Sequence, residues 1–404
     1  MSFNLKNIGP GLLFAGAAIG VSHLVQSTRA GADFGFGLVW ALLLVNIFKY
    51  PFFQFGPRYA LATGESLLDG YKKLGKGVLI TYFILSIATM FTIQLAVTIV
   101  TAGLASSIFG DFISLEFWTV IILGISFSIL VFGKYSFLDK LMKVIVLTLT
   151  VSTVVAVIIA LSNNQTSFSF AQILPKNSVE IAFLIAFMGW MPAPLDISIW
   201  HSLWAIEKHK DTNTYDVKSS LFDFNVGYLF TIILGLGFIS LGALVMFHTE
   251  DVFSGSASEF SNQLINMYTK NLGSWSYVII GIAAFTTMFS TTLTTLDASP
   301  RAMEKTTQLL FGNILKRGYL LWLLILALGT IFIFFFLNSE MGLLIKIATI
   351  LSFLTAPFYA IINYRLISSK HTPKEWQPSI KMHILSILGI LFLIAFSIWY
   401  LSTL

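Results

Sequence analysis

Three stretches of this chain set ion-binding side chains beside backbone that is prone to break, all within apolar sequence. In FAGAAIGVSHLVQ, residues 14–26, Gly16 and Gly20 interrupt an apolar run, and Ser22, His23 and Gln26 follow at once. A neutral imidazole at His23 offers a metal ligand or a donor to an anionic group, and a protonated one makes binding depend on pH. In MGWMPAPLDISIWHS, residues 188–202, Pro192 and Pro194 each remove a backbone donor and stop a helix. Asp196 lies two residues beyond Pro194, so a helix restarting there would carry it at its start, as a cation ligand, a counter-ion for an amine or a proton carrier. The third stretch, AAFTTMFSTTLTTLDASPR, packs Thr286, Thr287, Ser290, Thr291, Thr292, Thr294, Thr295 and Asp297 into three turns. Hydroxyls at 286, 290 and 294 share one helical face, and hard oxygen donors of this kind suit Na⁺. The alternative for each hydroxyl is a bond back to its own helix.

The elements that hold these residues are membrane spans. The chain has 404 residues, is 56% hydrophobic and 11% charged, and its mean hydropathy is +0.84, well outside the soluble globular range. Runs of about 20 apolar residues, enough to cross the hydrocarbon, recur along its length. Eleven spans are expected near 9–28, 37–61, 78–105, 116–133, 140–162, 179–203, 221–247, 274–297, 317–337, 341–363 and 381–403. Charge tests that count. Nineteen of the 24 Lys and Arg fall on one side, only Arg29, Lys176 and Lys270 on the other, and Lys49 and Lys346 within spans. By the positive-inside rule the amino terminus is cytoplasmic and the carboxyl terminus external. The net charge of +5 then belongs to topology, and neither nucleic acid nor a soluble partner domain is indicated. The opening MSFNLKNIGPGLLF reads as a retained first span, not a signal peptide. Cysteine is absent, which excludes disulfides and thiolate ligands.

Lys49, in VNIFKYPFFQFG near the middle of the second span, needs a partner or water, and Asp196 is one candidate. Lys346 sits a turn or two from a span end and can snorkel. Asp297 and Arg301, four residues apart, could pair as a gate. The two interrupted spans, first and sixth, are five apart. That is the arrangement of transporters built from inverted five-helix repeats, in which the first helix of each repeat unwinds at the bilayer midplane and frees carbonyls and half-helix ends for substrate and ions. Repeat one would cover about 9–162, repeat two about 179–363, and 381–403 would be an extra helix of one transmembrane domain.

From Ala30 onward, AGADFGFGLVWALLLVNIFKYPFFQFGPRYALATGESLLDGYKKLG resembles the Nramp family of divalent-metal transporters in the end of its first helix and its second helix, including the G-A-x-[FY]-G turn and the closing A-T-G. The likeness is good over about the first 75 residues and continues more weakly through Met191-Pro192. It implies the leucine-transporter-type fold and a secondary transporter in a bacterial inner membrane. It also implies a lost metal site. The family's Asp-Pro-Gly-Asn falls on Gly20, Val21, Ser22 and His23, its Met-Pro-His on Met191, Pro192 and Ala193, and its next histidine on Ser198. Only Met191 survives, and a thioether without a carboxylate is a poor trap for a hydrated divalent ion.

Two readings follow. In the first, a cation passes through a remodelled central site with Asp196, His23 and Met191 as its ligands, no cofactor being bound and the ion itself being a divalent metal, Na⁺ or H⁺. In the second, a small zwitterionic or anionic solute moves with Na⁺. The free amides of Gly16, Ala17, Ala18, Ile19 and Gly20 would hold its carboxylate, with Ala193 nearby, and Ser290, Thr291, Thr294 and Thr295 would hold the ion. A non-transporting sensor is the third class. No enzyme constellation and no phosphate-binding loop is present, so an ion gradient must drive uphill movement.

Overall fold

The computed structural model describes residues 9–403 except 111, 133–134, 164–168, 212–214, 248–252, 255, 275–276, 313–315 and 338–340, and among the described residues it is helical without strands. The helices are α1 (Pro10–Ala18), α2 (Ser22–Phe34, wound as π-helix over Ser22–Ser27), α3 (Val39–Thr63), α4 (Leu67–Leu74), α5 (Lys76–Phe109), α6 (Leu115–Phe132), α7 (Tyr135–Asn163), α8 (Ser178–Trp190), α9 (Ile197–Asp211), α10 (Val217–Val245), α11 (Ala257–Leu272), α12 (Tyr277–Phe311), α13 (Gly318–Leu337), α14 (Met341–Ile367) and α15 (Ile380–Leu401). Eight of them are long and apolar enough to cross a membrane alone. The pair α1 and α2, bent by 48°, makes a ninth such span. Two shorter apolar helices, Leu147–Ser162 within α7 and α8 itself, fall at the fifth and sixth expected spans.

Local sequence explains the ends. Proline at the first position opens α1, where its missing N–H costs nothing. Ser66 and Asp69 cap α4 reciprocally, and Gly64 closes α3 at a φ of 73°, which a side chain would strain. The first span breaks over Ile19–Val21 and the sixth over Met191–Asp196.

The broken first span lies along α10, and glycine sets how closely. A Cβ on Gly227 would come within 2.1 Å of the Gly11 carbonyl oxygen, and one on Gly31 within 2.1 Å of that of Ile239. Backbones touch at both ends of the crossing, so the first span cannot slide on α10 without a cavity opening. On the face that carries the amino terminus, Asp223 of α10 is fully buried and accepts from the N–H of Gly9 (3.2 Å) and Gly11 (2.7 Å) and from the Tyr215 hydroxyl (2.8 Å). A carboxylate thus meets the unsatisfied donors and positive end of α1. Nearby on the same face, Asp69 pairs with Lys305 at 2.8 Å. Partial burial works against its charge, but the bonds from Lys305 and Ser66 prevail and hold the carboxyl below its ordinary range.

Candidate functional site

The two breaks face each other across a cavity of about 20 Å³, lined by Ala17, Ser22, Trp190, Trp200, Thr291 and Thr295 among others. Such a space holds one water or one bare ion. Larger recesses lie on either side. One of about 350 Å³ is bordered by Asp69, Glu207, Arg301 and Lys305, and one of about 400 Å³ by Arg29, Asp33, Glu180 and Lys346. Neither recess shares a lining residue with the central cavity.

Unwinding of the first span leaves the carbonyls of Gly16 and Ile19 without full helical partners, and α12 supplies the answer. The Thr291 hydroxyl lies 3.2 Å from Gly16 O, 3.3 Å from Ile19 O and 3.2 Å from Thr287 O of its own helix. One proton cannot serve three acceptors. Ligands of a hard cation at about 2.3–2.6 Å sit roughly 3.3–3.7 Å from one another in near-octahedral arrangement, so the Thr291 hydroxyl stands at about ligand-to-ligand distance from each of the three carbonyl oxygens. The other hydroxyls divide. Those of Thr286, Ser290 and Thr294 bond back to α12 itself, through Ile282, Thr287 and Ser290 carbonyls. Thr295 donates to Gln94 of α5. Of the four hydroxyls expected to hold an ion, Ser290, Thr291, Thr294 and Thr295, it is Thr291 that meets carbonyls of the first span.

The residues considered as metal ligands separate. His23 is fully buried and its nitrogens are spent within the protein, with Nε2 2.9 Å from Thr231 O and Nδ1 2.7 Å from Ser22 Oγ and 3.1 Å from Ala18 O. The Met191 Sδ and the His23 Cδ2 both lie within 4 Å of where a Cβ on Gly235 would stand. Asp196 instead occupies the position just before α9, within electrostatic reach of Lys49, Tyr71, Tyr82 and Tyr359. Among the described residues no group of three or more His, Cys, Asp or Glu could hold a metal. Lys49, fully buried, reaches the sixth-span break, where Nζ donates to carbonyls of Met188, Gly189, Met191 and Ala193. Asp297 accepts one bifurcated bond from Arg301 Nε, with its oxygens at 2.9 and 2.7 Å, and one from the Tyr319 hydroxyl at 2.7 Å, so the expected ion pair is formed. Sequence reasoning passed over two groups. One is Asp223, and the other is His201, a buried imidazole stacked on Phe14 at 5.6 Å with neither nitrogen hydrogen-bonded.

Comparison with known proteins then fixes the family. The Nramp profile, described as natural resistance-associated macrophage protein-like, matches residues 11–403. The chain belongs to the Nramp family. It is 36% identical to a Pasteurella multocida protein of uncharacterised role, over 98% of this chain and 92% of that one. It is 23% identical to the divalent metal cation transporter MntH of Staphylococcus saprophyticus, over 95% and 90%. Among solved structures it is similar to a mutant of the Eremococcus coleocola manganese transporter, with TM-score 0.70 at 14% identity over 98% of this chain and 94% of that one. It is also similar to Mhp1, a nucleobase-cation-symport-1 family transporter, with TM-score 0.59 at 13% identity over 99% and 96%. The fold is the leucine-transporter type, eleven spans in two inverted five-helix repeats with the first and sixth broken, and the chain is an integral membrane protein of a transporter family.

Within this Nramp frame, Gly20 stands where the resemblance puts the metal-binding Asp, and its surroundings fit that loss. A Cβ there would lie 2.8 Å from both Cγ2 and Oγ1 of Thr291. Restoring the acid by Gly20→Asp is therefore expected to push Thr291 off the first span and cost about 1–3 kcal/mol, as overpacking does. Mn²⁺ calorimetry on that variant should remain silent; saturable Mn²⁺ heat would show that the family site is intact but for one residue.

Proposed function

We propose that this protein is a secondary transporter that binds a hard monovalent cation, Na⁺ first, between the unwound first span and α12, and moves its cargo by opening the two breaks alternately to either face. One observation carries the reading: the Thr291 hydroxyl sits 3.2 Å from Gly16 O, 3.3 Å from Ile19 O and 3.2 Å from Thr287 O, about the distance between neighbouring ligands of a bound cation. That contact joins the half-span that must move to a helix that packs on α5 and α13. A cation there would bind well only when the first span lies against α12, which is how ion occupancy biases one conformation. By the distribution of Lys and Arg, the amino terminus is placed in the cytoplasm and the carboxyl terminus outside a bacterial plasma membrane.

The relatives support a second reading, in which the cargo is a divalent metal, because MntH and the Eremococcus protein carry that function in their names. The donors in this chain favour the first: His23 is saturated, Asp196 lies within electrostatic reach of Lys49, and neither Asp196 nor the Met191 thioether lines the central cavity. Calorimetry on the purified protein in detergent separates them. Saturable Na⁺ binding with silence toward Mn²⁺ and Mg²⁺ is expected. Divalent binding without a Na⁺ response would overturn the proposal in favour of the second reading.

A further inference from the structure

The Lys49 ammonium lies inside a ring of backbone oxygens: 2.7 Å from Gly189 O, 2.8 Å from Met188 O, 3.1 Å from Met191 O and 3.3 Å from Ala193 O. These carbonyls are free because the sixth span stops there, with prolines at 192 and 194 that cannot donate back. A ring of backbone carbonyls and nothing else is how proteins dehydrate and hold a monovalent cation. Every partner is an acceptor, so the amine must present N–H on all sides. A neutral amine would turn its lone pair toward an oxygen, whereas the ammonium has three donors for four close oxygens.

Charge is arranged to match. Met188 and Gly189 belong to the last turn of α8, whose carbonyl end is negative, and Lys49 meets it. Asp196 sits just before α9, at that helix's positive end, with its Oδ1 buried and without a hydrogen-bond partner. The sixth break thus carries its own cation and anion, each at the half-helix end that favours it. The first break does not: its Gly16 and Ile19 carbonyls meet the uncharged Thr291.

We infer that Lys49 is a tethered cation that permanently fills the cation position at the sixth-span break. Its role is one of positioning and specificity. The Met191 and Ala193 carbonyls are withdrawn from any cargo ion, and a divalent metal could reach them only by displacing an ammonium. This inference stands on the bonds of Lys49 and does not require Na⁺ at the first break.

The experiment is chemical replacement of the tethered ion. Lys49→Ala removes the ammonium and its stem and leaves a carbonyl-lined hole large enough for a small cation. Purified Lys49→Ala in Na⁺-free detergent buffer is titrated with methylammonium, with tetramethylammonium at equal ionic strength as the control that cannot donate. Tm of the variant is expected to rise saturably with methylammonium, by about 2–4 °C, and not with tetramethylammonium, while wild type responds to neither. Lys49→Met keeps the stem volume without charge and is expected to be destabilised and insensitive to both. Failure of methylammonium to shift or recover Lys49→Ala would overturn the inference, and so would a Lys49→Met protein as stable as wild type.

Discussion

Asp223→Ala is expected to cost about 2–5 kcal/mol of stability and to loosen the end of α1 that carries the amino terminus. The fully buried carboxylate accepts from Gly9 N–H, Gly11 N–H and the Tyr215 hydroxyl, and removing it leaves three donors in a space that alanine cannot hydrate. It also strips the positive end of α1 of its counter-charge. The Gly11 and Gly227 backbone contact still holds α1 to α10, so loosening of the first turn of α1 rather than global unfolding is the expected outcome. The absence of native cysteine makes the readout clean. A single cysteine at Ala17, on the central cavity, should react faster with a thiol reagent applied from the amino-terminal face in the Asp223→Ala background. Asp223→Asn, which keeps one carbonyl acceptor, should fall between. Labelling at the wild-type rate with a lowered Tm would mean that Asp223 only stabilises and does not latch.

How much of this could be read from residues alone follows from what each feature is made of. Spans and their breaks are side-chain facts: apolar runs set the first, and Pro192, Pro194, Gly16 and Gly20 the second. The Asp297 and Arg301 pair is local, four residues apart on one helix, and was equally legible. What escaped is made of backbone. Lys49 answers to carbonyls about 140 residues away, so a search for an acidic partner finds Asp196 and misses the cage. Thr291 is legible as one of four candidate hydroxyls on α12, but that it is the one meeting Gly16 O and Ile19 O depends on where the first span unwinds. Asp223 caps a helix 212 residues earlier in the chain, and no spacing rule reaches that far. The Met191, His23 and Asp196 grouping does not come together as a metal site, since His23 is held by Thr231 of α10 and Asp196 lies within electrostatic reach of Lys49, Tyr71, Tyr82 and Tyr359.

The serine and threonine cluster gives the sharpest test of the ion site, because neighbouring hydroxyls make opposite predictions. Thr291→Val keeps the side-chain shape, including a methyl against Gly20, and deletes the one oxygen that faces both Gly16 O and Ile19 O. Loss of a first ligand from a small cation site should weaken Na⁺ at least about tenfold, or 1.4 kcal/mol, with little change in Na⁺-free stability because the hydroxyl proton is shared among three long contacts. Thr294→Val removes a hydroxyl that bonds at 2.7 Å to Ser290 O of its own helix, and Na⁺ affinity should not move. Isothermal titration of Na⁺ into both variants decides between a site and a polar helix face. Equal weakening would mean that the hydroxyls act together as a generally hydrated surface, and no weakening in Thr291→Val would remove the cation from this position altogether. The expected split, one silent and one impaired on residues three apart, is a result that only a site built on the 287 and 291 side of α12 produces.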